Sequence, residues 1–141
     1  MSACLLDTNI ISEARKGGKA DSDFLSWYEA VDERELFLSV LVTGELRKGI
    51  ELARHQDVPK ANTLDRWLRG LESQFADRIL PVTAEIADRW GRLCAVRPLP
   101  TIDGLLAATA LIHDLTLVTR NVAQVRETGV RLLNPFAAPN H

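Results

Sequence analysis

The chain contains no run of about 18 consecutive apolar residues, so no helical membrane span is expected. No basic leader precedes an apolar stretch near Met1, which predicts a soluble, cytoplasmic protein. Cysteine and histidine are both scarce. Cys4 and Cys94 form no motif with each other or with His55, His113 and His141, which excludes a disulfide framework and a zinc site. Each thiol reads as a small apolar group, Cys4 in a core strand and Cys94 in a helix. Positive charge is not in excess either: 17 Lys and Arg stand against 19 Asp and Glu, a net charge of -2, so no broad basic face announces nucleic acid. A carboxylate pocket holding a divalent cation softens that objection, because the cation itself can meet a phosphate.

Repeats, linkers and low-complexity tracts are also missing, and 46% hydrophobic with 26% charged residues is the balance of an ordinary folded protein. A chain of 141 residues reads as one domain able to bury about two-thirds of its unfolded surface. Short apolar runs at Ala3 to Leu6, Leu36 to Val40, Ile79 to Val82, Leu115 to Thr119 and Val130 to Leu133 predict five strands. Helical patterns lie between them, near Asn9 to Arg15, Ser22 to Glu33, Val42 to Arg54, Lys60 to Phe75, Thr83 to Val96 and Ile102 to His113. This alternation predicts an α/β fold with a mostly parallel sheet covered by helices on both faces, since parallel neighbours need a crossover. Pro59 behind Asp57 is expected in a first helical turn, and Thr83, and Thr101 after Pro100, are expected to cap helices. Ala137 to His141 are expected to fray. The stripe Leu64, Trp67, Leu68, Leu71 and Phe75 predicts a buried helix face; exposed parts of it, with Trp27 or Trp90, would make a protein contact.

Three acids stand out by position. Asp7 ends the first strand in Leu5-Leu6-Asp7-Thr8-Asn9; Glu45 lies early in the helix after the second strand; Asp103 lies in the first turn of another helix. In an open α/β sheet the carboxyl ends of strands and the helix starts behind them share one crevice. Singly, Asp7 can cap a helix and Asp103 can complement a helix dipole, whereas Glu45 sits beside apolar Leu41, Val42 and Leu46, where an unpaired carboxylate is costly. Jointly, clustered carboxylates repel unless a cation compensates. Mg²⁺, with Mn²⁺ as a substitute, takes one or two carboxylates plus waters and a phosphate oxygen, and Asp7 and Asp103 are the expected ligands. That leaves Glu45 to orient a water for phosphodiester hydrolysis. Thr8, Asn9, Ser39, Thr119 and Asn121 are expected to hold carboxylates, waters or substrate in place. Arg47, Lys48 and Arg120 are candidate phosphate contacts.

The segments around Asp7, Ser39 to Leu46, Thr101 to Ala110 and Leu117 to Asn121, with the closing Leu133-Asn134-Pro135-Phe136, resemble in order the PIN-domain toxins of the VapC and FitB types. That resemblance implies a three-layer α/β/α sandwich, a homodimer and Mg²⁺- or Mn²⁺-dependent cleavage of RNA. It also implies neutralisation by a small antitoxin protein, through which alone DNA is bound. Asp7, Glu45 and Asp103 match the family's three principal acids. Where many relatives carry a fourth acid this chain has Asn121 and Gln124, so one well-held ion or weak two-ion occupancy is expected, with Glu127 as a possible substitute ligand. Two alternatives remain open. A strand-end Asp followed by Thr resembles the haloacid dehalogenase phosphatases, although their second Asp is Asn9 here; and the chain can instead be a catalytically weak binding or regulatory module acting through a protein partner.

Overall fold

The computed structural model describes residues 3–136; the expected fraying of Ala137 to His141 lies outside them. Five parallel strands form one sheet: β1 (Cys4–Leu6), β2 (Leu36–Ser39), β3 (Ile79–Leu80), β4 (Thr116–Val118) and β5 (Leu132–Leu133), in the order β3-β2-β1-β4-β5. Among the described residues seven α-helices accompany them: α1 (Thr8–Ala14), α2 (Ser22–Ala30), α3 (Val40–Arg54), α4 (Val58–Gln74), α5 (Ala84–Val96), α6 (Thr101–His113) and α7 (Val122–Val125). None is long and apolar enough to cross a membrane.

The strand order explains the layers. The chain steps outward from β1 to β2 to β3, then returns to β4 on the other side of β1 and steps outward again to β5. Right-handed crossovers in opposite directions place their helices on opposite faces, so α1 to α4 cover one face and α5 to α7 the other. Contacts follow that division, α3 packing on α4 and α1, α5 packing on α6. The middle of the sheet is therefore covered on both faces, while β3 and β5 at its edges are partly exposed. Leu5, Leu6, Leu38 and Val118 lose all solvent contact, which is why the central strands read as continuous apolar runs rather than alternating ones.

Helix starts follow local chemistry with two departures. Asp57 accepts from the Lys60 amide ahead of α4, with Pro59 in the first turn, and Thr83 accepts from the Ile86 amide ahead of α5. Thr101 does not cap α6: Pro100 occupies that position with an extended backbone, and Thr101 is already the first helical residue. The second predicted helix stops at Ala30 rather than Glu33, because Val31 is extended and the Asp32 carboxylate takes the Arg34 amide to start a separate 3₁₀ turn. The α4 stripe is core at Leu68, Leu71 and Phe75 but half-exposed at Leu64 and Trp67, where the Arg15 guanidinium lies 5.8 Å from the indole centroid. Trp27 and Trp90 are half-buried.

Candidate active site

Because the chain reverses direction between β1 and β4, the carboxyl ends of these two strands flank a crevice that no crossover covers. Asp7 follows β1 and is only 5% exposed. Its carboxylate is held from three sides: Oδ1 accepts from the Thr8 amide at 2.7 Å, while Oδ2 accepts from the Thr119 hydroxyl at 2.6 Å and from Asn9 Nδ2 at 3.4 Å. Asp7 thus caps α1 and points into the crevice at once. Thr119, directly after β4, is buried and in turn receives the Asn121 amide at 2.9 Å. The Arg120 amide donates to Asn9 Oδ1 at 3.3 Å, closing a web that ties the two strand ends together.

Glu45 reaches the crevice from α3, and the Thr8 hydroxyl donates to its Oε1 at 2.5 Å; among the described residues Oε2 receives no hydrogen bond. Asp103 reaches it from the first turn of α6. That helix can start close by because Gly104 has no side chain: a Cβ there would stand 3.1 Å from the Trp90 ring. Burial pushes the Asp103 carboxyl above its ordinary range, and the negative charges of Asp7 and Glu45 push it further in the same direction. The three acids converge on one cleft of about 530 Å³, lined also by Thr8, Asn9, Ser12, Glu13, Lys16, Arg120 and Asn121.

Several residues singled out in the sequence go elsewhere. Ser39 is wholly buried, caps α3 by accepting from the Leu41 amide at 3.0 Å, and does not line the cleft; it orients the helix that carries Glu45. Gln124 and Glu127 line a separate groove between α5 and α7, and Glu127 is ion-paired with Arg97, so Glu127 is no substitute for a fourth acid. Arg47 is spent on Glu51 and Asp65, and Lys48 is an exposed residue that does not line the cleft. Of the three cations only Arg120 lines the cleft. The sequence reading missed Glu13 and Lys16; their only local signal is a position one and two turns beyond Asn9 on the same short helix and its extension.

Among the described residues no three His, Cys, Asp or Glu side chains form a preassembled metal cage. Mg²⁺ does not require one, since it keeps most of its waters and takes one or two carboxylates directly. Oδ1 of Asp7 accepts one hydrogen bond and retains a lone pair, and Asp103 makes no hydrogen bond through its carboxylate among the described residues. A hard cation there would offset the burial, and then the repulsion from Asp7 and Glu45, that raise Asp103. The residues fit such an ion, since Asp7 and Asp103 both have carboxylate oxygens left to offer it in the cleft.

Comparison with known proteins agrees with this architecture. The sequence model of the PIN domain matches residues 4–127. Toxin FitB of Neisseria gonorrhoeae is 30% identical over 138 residues, which cover 94% of this chain and 97% of that protein. A VapC ribonuclease of Sinorhizobium fredii, Y4jK, is 28% identical over 141 residues, covering 94% and 96%. The crystal structure of FitAcB from Neisseria gonorrhoeae matches with a TM-score of 0.86 at 29% identity, over 96% of this chain and 99% of that one. With a family match that runs from β1 through α7, and a sheet order and cleft that its sequence motifs lead to, this chain belongs to the PIN domain family.

Proposed function

We propose that the chain is a metal-dependent endoribonuclease and the toxin of a toxin–antitoxin pair. The observation that carries this reading is the convergence of Asp7, Glu45 and Asp103, from three separate elements, on the cleft where the sheet changes direction. Similarity to a protein named VapC ribonuclease favours RNA as substrate, and similarity to toxin FitB and to the FitAcB complex favours a small antitoxin as partner. A homodimer is part of the same proposal.

Bound Mg²⁺, or Mn²⁺ in its place, would supply an activated water and positive charge where the phosphate oxygens become more negative. The protein's own residues do the rest. Asp7, immobilised by three donors, presents a fixed oxygen. Asp103 presents a second, unbonded carboxylate in the same cleft. Thr8 holds Glu45 by Oε1 and leaves Oε2 free in the cleft, where it would serve as a proton acceptor for an attacking water. No Ser, Cys or His nucleophile is needed.

The test is cleavage of a mixed cellular RNA pool by the purified, partner-free chain with Mg²⁺ or Mn²⁺, beside Asp7→Asn and an EDTA control. Metal-dependent cleavage lost in the variant is expected. Equal inertness of folded wild type and variant under both metals would overturn the enzymatic reading in favour of a binding module.

A further inference from the structure

Besides its acids the cleft is lined by two cations, Lys16 and Arg120, and both are held by the same buried acid. Glu13 is 6% exposed; its Oε2 accepts from the Asp21 amide at 2.8 Å and its Oε1 meets Lys16 Nζ at 2.9 Å. The Asp21 amide, then Lys16, hold this carboxyl below the ordinary range, so it stays charged. Arg120 approaches the same Oε1 at 3.9 Å. One buried acid therefore anchors two cations, and the three together keep a net positive charge.

Arg120 has a second anchor. Its guanidinium carbon lies 3.7 Å from the centroid of the Phe136 ring; Phe136 stacks on Phe24 at 5.5 Å and 19°, and Phe24 on Tyr28 at 5.2 Å and 18°. The guanidinium is the end plate of an aromatic column rooted in Phe24, which is fully buried. Yet its N–H groups make no hydrogen bond among the described residues, and the side chain is 53% exposed, as Lys16 is at 54%. An arginine stacked on an aromatic ring while keeping its fork of donors unspent is prepared to bind two oxygens of one oxyanion, a phosphate included.

We infer that Arg120 and Lys16 bind a backbone phosphate of single-stranded RNA beside the scissile one, so that the strand lies across the acids and these two cations. The inference rests on the ribonuclease reading. It also accounts for RNA binding by a chain whose net charge is -2: the positive charge is concentrated where the strand passes. Phosphate contacts of this kind fix register without reading bases.

Steady-state cleavage of one RNA oligonucleotide, across a salt series, by wild type, Arg120→Gln, Lys16→Gln and Arg120→Lys tests it. For each Gln variant KM should rise about tenfold with kcat within about twofold, the loss of one hydrogen-bonded charge contact. The plot of log kcat/KM against log salt should become shallower by about 0.7 for each charge removed. Arg120→Lys should raise KM with the wild-type slope, since it keeps the charge and loses the stacked fork. Unchanged slopes in both Gln variants, in enzyme that still cleaves and still shows the wild-type Mn²⁺-induced thermal shift, would overturn the inference and leave the nuclease standing. A wild type that cleaves no RNA would overturn the ribonuclease reading, and this one with it.

Discussion

Between α3 and α4, Glu51 is bonded by Arg47 and Arg54, and Asp65 by Arg47 at 2.6 Å and Arg69 at 3.2 Å, whereas Asp7, Glu45 and Asp103 face one another with no Lys or Arg paired to any of them among the described residues. The carboxyl groups respond in opposite directions. Hydrogen bonding from Arg47 holds Asp65, and from Arg54 holds Glu51, below the ordinary range; burial, then Asp7 and Glu45, hold Asp103 above it. Charge between the two helices is settled within the fold. Charge in the cleft is left unsettled, a state that a proton or a bound cation would relieve, and that difference separates a structural acid cluster from a candidate site.

The contrast can be tested at its strongest point first. Asp103→Asn should reduce RNA cleavage by at least about a hundredfold, the scale of losing a metal ligand or its support. In EDTA the same variant should melt a few degrees higher than wild type, because it removes a carboxylate that the folded state holds against burial and against repulsion. Cleavage assays and thermal denaturation check the two halves, and a lower melting temperature would break the comparison.

Thr119→Val keeps the shape and removes the hydroxyl that Asp7 Oδ2 accepts from. Urea denaturation should show a loss of about 1.5–3 kcal/mol, the range for a hydrogen bond to a charged group. Cleavage should fall about tenfold or more as Asp7 loses one of its supports. Gly104→Ala puts a methyl group 3.1 Å from the Trp90 ring, whose indole Nε1 is already buried without a partner among the described residues. Overpacking costs about 1–3 kcal/mol, and the helix-propensity gain of about 1 kcal/mol offsets part of it. A net loss of roughly 1 kcal/mol by the same measurement, with weakened Mn²⁺ binding, is expected because Asp103 is the neighbouring residue.

The smallest effect belongs to the settled cluster. Asp65→Asn should leave cleavage within about twofold and shift the melting temperature by no more than a degree or two, since this pairing is screened by solvent. Its pH signature separates it from the cleft. Asp65 and Glu51 titrate lower in the folded than in the unfolded chain, so what they add to stability is complete above the ordinary carboxylate range and is lost as pH falls through their depressed values. Asp103 titrates higher when folded, so its penalty is complete above its raised value and is relieved as pH falls through it. Melting temperature against pH in EDTA should therefore lose the relief in Asp103→Asn and keep it in Asp65→Asn.

The order of the strands and of the six longer helices, and the family, were legible in the sequence, because strand-length apolar runs and helical periodicity are local consequences of burial on both faces of a sheet; the four-residue α7, too short to show a period, was not. Caps set by one side chain and a neighbouring amide were equally legible, as at Asp57 and Thr83, and failed only at Thr101, where Pro100 had already turned the chain. Asp7, Glu45 and Asp103 were identifiable because helix starts and strand ends have a known direction. What only the tertiary structure decided was which side chains meet across the fold. Thr119 supports Asp7 from 112 residues away, Phe136 carries Arg120, Glu13 gathers Lys16 and Arg120, while Ser39 and Glu127 turn away from the cleft. Periodicity reports how each segment is buried but not which strand lies beside which, and the return of β4 to the side of β1 is what creates the cleft.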